Sequence, residues 1–169
     1  MERLTLRLAA PLHAIFVHFS IALTSASVAL DAAAALLDQR MLAEAGWWTL
    51  IATTTIAVGT IATGITSRLR LPMEEGPARA YLRSHMALGP ILFGLLLAMT
   101  IWRATLWERG EVTPWPYLAS GGGLLCVLIV QGYLGGELVY RFGANVRSGF
   151  RRLPSEPQPT NPSLYRKPA

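Results

Sequence analysis

The sequence predicts an all-α fold, a four-transmembrane-helix bundle with both termini on the cytoplasmic side. Three observations lead there. Of the 169 residues, 52% are hydrophobic and 15% charged. An ordinary soluble domain is not built from that balance, and the length suits one domain. Four apolar stretches, at about 11–37, 47–66, 85–107 and 117–140, each reach the roughly 20 residues needed to cross a bilayer. The basic residues gather at one set of ends. Of fifteen Lys and Arg, two precede the first stretch, four lie in 67–84 and six follow from Arg141 onward; Arg40, Arg103 and Arg109 are on the other side. This asymmetry orients both termini toward the cytoplasm of a bacterial inner membrane.

The chain divides into an N-terminal arm (1–10), a four-span membrane domain (11–150) and a proline-rich tail (151–169). The first span, PLHAIFVHFSIALTSASVALDAAAALL, exceeds the 7–15 apolar residues typical of a signal peptide. It follows the chain's own Met1 and is expected to be retained. On a helical wheel Ala14, His18, Ala22, Ser25, Ala29 and Ala32 share one face of small side chains, while Leu12, Ile15, Phe19, Leu23 and Leu30 turn toward lipid. Small faces let helices approach closely in a membrane. His18 is therefore expected deep inside the bundle. His13, rotated from it by about 140°, is expected nearer the headgroups, and Asp31 near the outer interface.

Asp38, Gln39, Arg40 and Glu44 read as a polar turn closed by Gly46, after which Trp47 and Trp48 open the second span at the interface. That span is rich in threonine, which bonds back to its own helix, and holds Gly59 and Gly64. Residues 67–84 form the longest internal loop, punctuated by Pro72, Gly76 and Pro77. The third span runs from His85 to Trp107, with Trp102 and Trp107 as interface anchors and a kink at Gly89-Pro90. After a turn over 108–116, the fourth span carries Gln131, suited to bonding across helices, and the close-packing pair Gly132 and Gly136. The tail, PSEPQPTNPSLYRKPA, is expected extended and mobile unless a partner holds it.

All three histidines, His13, His18 and His85, lie at the cytoplasmic end. Gly64, Gly135, Gly136, Glu137 and Tyr140 end the second and fourth spans there. Ionisable groups at membrane depth are costly, so they mark candidate sites. Two histidines on different helices of a bundle can ligate haem iron axially. His18 with His85 is the first choice of pair and His13 with His85 the second. Arg68 and Arg83 are placed to meet the propionates. His13, His18, His85 and Glu137 are also of the types that bind zinc or copper, with His18 and His85 as core ligands, although the rotation between His13 and His18 opposes a shared ion. Otherwise the histidines bond to Glu137, Tyr140 or backbone carbonyls and fix helix register.

Other chemistries find no support. The single Cys126 excludes an internal disulfide framework, a cysteine-ligated iron–sulfur cluster and a CxxCH haem attachment. The formal charge of +5 comes from helix ends and tails, as in a membrane protein, and no nucleic-acid partner is expected. No nucleophile–base arrangement, phosphate loop or nucleotide motif is present, so no catalytic activity of its own is expected.

LHAIFVHFSIAL, His85 with Gly89, and GGELVYRFGANV together resemble the prokaryotic membrane family called domain of unknown function 2231, over about residues 10–147. The most specific matches are His13, Val17-His18-Phe19, and Gly135-Gly136 followed by Leu138-Val139-Tyr140, Gly143 and Val146. The family reads His-Pro and His-Phe-Pro where this chain has His13-Ala14 and His18-Phe19-Ser20. It often has a histidine in place of Phe142, and an acidic residue soon after the glycine matching Gly64. The resemblance implies four spans and a place beside respiratory cytochromes. The leading expectation is a redox or accessory subunit of a respiratory or photosynthetic complex, in contact with lipid and other subunits and holding haem b. A scaffold subunit without cofactor, and a metal-binding or small-solute membrane protein, are the alternatives.

Overall fold

A computed structural model describes residues 2–69, 76–109 and 113–144, with only the backbone described before Leu12. Among them are four helices: α1 (Glu2–Leu37), α2 (Arg40–Arg68), α3 (Pro77–Glu108) and α4 (Trp115–Tyr140). All four are long and apolar enough to cross a membrane, α1 over Leu12–Leu37.

Each helix extends beyond its apolar stretch. The residues of the N-terminal arm from Glu2 onward are helical, because Glu, Arg, Leu and Ala are strong helix formers. The expected polar turn after the first span shrinks to Asp38 and Gln39. Asp38 takes a left-handed φ of 51°, which a short polar side chain tolerates, and Arg40 to Ala45 already belong to α2. Likewise α3 begins at Pro77, not near His85. Its first-turn proline is preorganised for a helix start, and Gly76 before it sits at φ 140°, open to glycine and to few other residues. The helix then runs unbroken through Pro90. The tail lies outside the described residues.

The helices alternate up and down. α1 packs chiefly on α2 and α3 on α4, with lesser α2–α3 and α1–α4 contacts that close the ring. α1 and α3 are thus diagonal. The apolar centre is Leu50, Ala57, Leu96, Met99, Leu106, Tyr117 and Leu124.

The face that α1 buries differs from the expected one. Ala14, His18, Ala22, Ser25 and Ala29 are exposed. The inward seam is His13, Val17, Ser20, Thr24, Ser27, Asp31 and Ala34, in strict alternation of three and four residues. The reason is polar satisfaction. Hydroxyls and carboxylates gain partners inside, where lipid offers none. Ser20 meets the Thr60 hydroxyl at 2.9 Å and Ser27 donates to the Gly46 carbonyl at 3.0 Å. The α2 threonines do bond back to their own helix, as at Thr49, Thr53 and Thr55, and Thr54 also meets Thr100 of α3 at 2.7 Å.

Candidate functional site

His13 of α1 and His85 of α3 stand at the same end of the bundle on diagonal helices. Each ring lies against a glycine of an intervening helix. A methyl group on Gly64 of α2 would sit 3.1 Å from His13 Cε1, and one on Gly135 of α4 would sit 3.1 Å from His85 Cε1. Glycine at these two positions lets the imidazoles cross toward the neighbouring backbone.

The His13 ring is anchored by one nitrogen. Nδ1–H donates to the Thr60 carbonyl at 3.1 Å, with the Thr63 hydroxyl at 3.2 Å. A carbonyl only accepts, so the proton is on Nδ1 and Nε2 carries the lone pair. On the other side of the layer, the Gln131 amide nitrogen donates to the His85 carbonyl at 3.2 Å and lies 3.4 Å from His85 Nε2. His85 Nδ1 and Gln131 Oε1 are buried without a hydrogen-bond partner. Unsatisfied buried polar atoms cost about 1–3 kcal/mol each, and Asp31 Oδ2, Ser67 Oγ and Arg103 Nη1 are in the same state elsewhere in the bundle.

The remaining sequence-predicted residues are placed differently. His18 is exposed, and its Nδ1–H donates to the Ala14 carbonyl of its own helix at 2.6 Å. His13 is thus the more buried of the two α1 histidines, because α1 turns its polar seam inward and not its alanine face. Glu137 meets Arg141 at 3.3 Å and no histidine. Tyr140 is 91% exposed. Gly132 has open space where a side chain would go, and Gly136 meets only Tyr140 of its own helix, so that pair makes no close approach within the described chain. Arg68 and Arg83 line a cleft together with Arg79. No group of three or more metal-ligating side chains is assembled among the described residues, which leaves the zinc or copper reading without its ligand set. Gln131 reaches across helices as its polarity requires.

A second cluster lies at the opposite end, where sequence reasoning put Asp31 at an interface and counted Arg103 as an outer-side charge. Both side chains are 1% exposed and form an ion pair. Arg103 donates to Asp31 Oδ1 from Nε (3.3 Å) and Nη2 (3.2 Å), and to the Ala43 carbonyl (3.1 Å). Its guanidinium lies 5.8 Å from the Trp107 ring centroid, and Trp107 stacks on Trp47. Thr113, just ahead of α4, donates to the Asp31 carbonyl. Gly46 admits the pair, since a Cβ there would be 2.9 Å from Asp31 Oδ1. The cluster ties all four helices together. Its signal in the sequence was Asp31 on the three-four seam and a lone arginine more than a turn inside a span, where opposite charges usually find each other.

A family model described as "Predicted membrane protein (DUF2231)" matches residues 9–148. No curated protein and no solved structure matches the chain.

Proposed function

The chain belongs to the DUF2231 family of predicted membrane proteins, and from that premise we propose that it is a redox or accessory subunit of a respiratory or photosynthetic membrane complex, holding b-type haem in its histidine layer. One observation carries the reading. Two histidines from diagonal helices lie at one end of the bundle; Nε2 of His13 is out of hydrogen bonding, and Nε2 of His85, the acceptor facing the Gln131 amide nitrogen at 3.4 Å, would be its ligand atom once that amide turns aside. His13 fits ligation best. A ring anchored through Nδ1–H to a carbonyl has its tautomer and orientation fixed, with the other nitrogen ready for a metal. His13 and His85 would hold the haem iron, and His18, exposed and bonded within its own helix, would not. Haem in this layer would supply a one-electron couple whose potential is set by its axial ligands and burial.

The orientation is part of the proposal. With Arg103 sequestered inside the bundle, Arg40 and Arg109 are the basic residues left at the outer end, which strengthens the bias that puts both termini in the cytoplasm of a bacterial inner membrane. A reporter fused after Ala169 is active only if it works in the cytoplasm; a periplasmic signal reverses the orientation. Association with other subunits is supported by α4, where Gly122, Gly123 and Gly132 are exposed with open space at the Cβ position, as suits a close helix contact.

The test is optical. Protein purified from haem-replete cells gives a b-type reduced-minus-oxidised band and about one iron per bound haem. A colourless, iron-free protein overturns the haem reading and leaves the scaffold subunit.

A further inference from the structure

We propose that Gln131 of α4 is a positioning residue for His85: its side-chain amide fixes the imidazole tautomer that leaves Nε2 as the lone-pair nitrogen. The use of that tautomer rests on the haem reading, since iron is bound by an unprotonated nitrogen. The tautomer itself is a property of the chain without haem. α3 and α4 run antiparallel, and they make room for each other in register. His85 lies against Gly135, and Gln131 lies against Gly89. Each helix thus contributes one polar side chain and, about one turn away, one glycine. A Cβ on Gly89 would be 3.4 Å from the Gln131 amide nitrogen, and one on Gly135 would be 3.1 Å from His85 Cε1. The amide is thereby held beside both the backbone and the ring of His85.

The orientation of the amide follows from what each atom can do. Its nitrogen is 3.2 Å from the His85 carbonyl oxygen and 3.4 Å from ring Nε2. A carbonyl oxygen only accepts, so the end of the amide that faces it is the NH2 group and not Oε1. That group has a second proton for Nε2, which is then the acceptor, and the ring proton belongs on Nδ1. The arrangement has a cost inside the chain, because His85 Nδ1 and Gln131 Oε1 are both buried with no hydrogen-bond partner. The ring gains no bond of its own from a proton on Nδ1; Gln131 is the group that places it there. His13 reaches the same tautomer through the Thr60 carbonyl, so both diagonal histidines keep the lone pair on Nε2. Ligation at His85 then needs the amide to turn aside and no proton to move.

Ring-nitrogen NMR of the full chain, isotope-labelled at histidine and made in haem-depleted cells, tests this. Spectra are taken in detergent at mildly alkaline pH, where imidazoles are neutral, and His85→Ala assigns the His85 signals. In the wild type His85 shows a protonated Nδ1 and an unprotonated Nε2. Gln131→Met and Gln131→Leu keep a side chain of similar size and lack the donor. In both, the two His85 signals move in opposite directions, Nε2 toward the protonated position and Nδ1 toward the unprotonated one. The His13 signals, set by Thr60, stay in place. A wild-type His85 with its proton on Nε2 overturns the proposal even if neither variant folds. His85 signals unchanged in a folded variant overturn it too, as does an equal movement of the His13 signals, which marks a general disturbance of the bundle. The haem reading fails separately, on a colourless protein from haem-replete cells, and that result leaves the His85 signals as they are.

Discussion

Replacing Arg103 by methionine keeps much of the side-chain length and removes the charge. The structure sets what is lost: two contacts to Asp31 Oδ1 at 3.2 and 3.3 Å, one to the Ala43 carbonyl at 3.1 Å, and the stacking over Trp107. It also sets what is left behind, a carboxylate that is 1% exposed. An uncompensated charge at such depth dominates the cost, and breaking a buried pair by removing one partner is worth about 3–5 kcal/mol. At about 2–4 °C per kcal/mol for a chain of this size, the loss in thermal midpoint is roughly 6–20 °C. Asp31→Asn keeps the shape beside Gly46 and strands the guanidinium instead, so it falls in the same range. The double variant leaves neither charge alone and regains most of the loss, which is the signature of direct coupling. Circular dichroism melts in one detergent, with all four proteins compared, read this out. Single variants within about 2 °C of the parent, or a double variant no better than the worse single, would refute the reasoning.

Three further outcomes follow from close approaches. Gly46→Ala, whose Cβ would come within 2.9 Å of Asp31 Oδ1, destabilises by about 1–3 kcal/mol, the usual cost of overpacking, measured in the same melts. Gly64→Val and Gly135→Val each press on a histidine ring already 3.1 Å from the Cβ position; they lower the midpoint and disturb the His13 and His85 resonances, while Gly132→Ala, with open space around it, does neither. His18→Ala shifts stability by less than about 0.5 kcal/mol, as expected for a surface position, because the hydrogen bond it removes stays within one helix.

The spans were legible because hydrophobic run length reports directly on bilayer thickness. The helix ends were not. Segments such as Arg40 to Ala45 and Pro77 to Ser84 are polar and carry loop-like punctuation, yet are made of good helix formers, so the helices continue past the apolar runs. The histidine layer was legible as a level, since three histidines and two glycines shared one end, but its facing was not. Choosing small residues as the packing face of α1 selected Ala14, His18 and Ala22, all exposed. The three-four spacing of His13, Val17, Ser20, Thr24, Ser27 and Asp31 was present in the same sequence, and it marks the side with hydrogen-bonding needs. Asp31 and Arg103 are separated by 72 positions, so their pairing is a tertiary fact. No local pattern contains it, although two opposite charges inside different spans invite it.

The haem reading requires that His13, and not His18, share a layer with His85. Reduced-minus-oxidised spectra of the wild type and the three single histidine-to-alanine variants, purified from haem-replete cells at matched protein concentration, test this most directly. A b-type band is expected in the wild type and in His18→Ala, and its loss in His13→Ala and in His85→Ala. A band that survives His13→Ala, or one that disappears with His18→Ala, contradicts it.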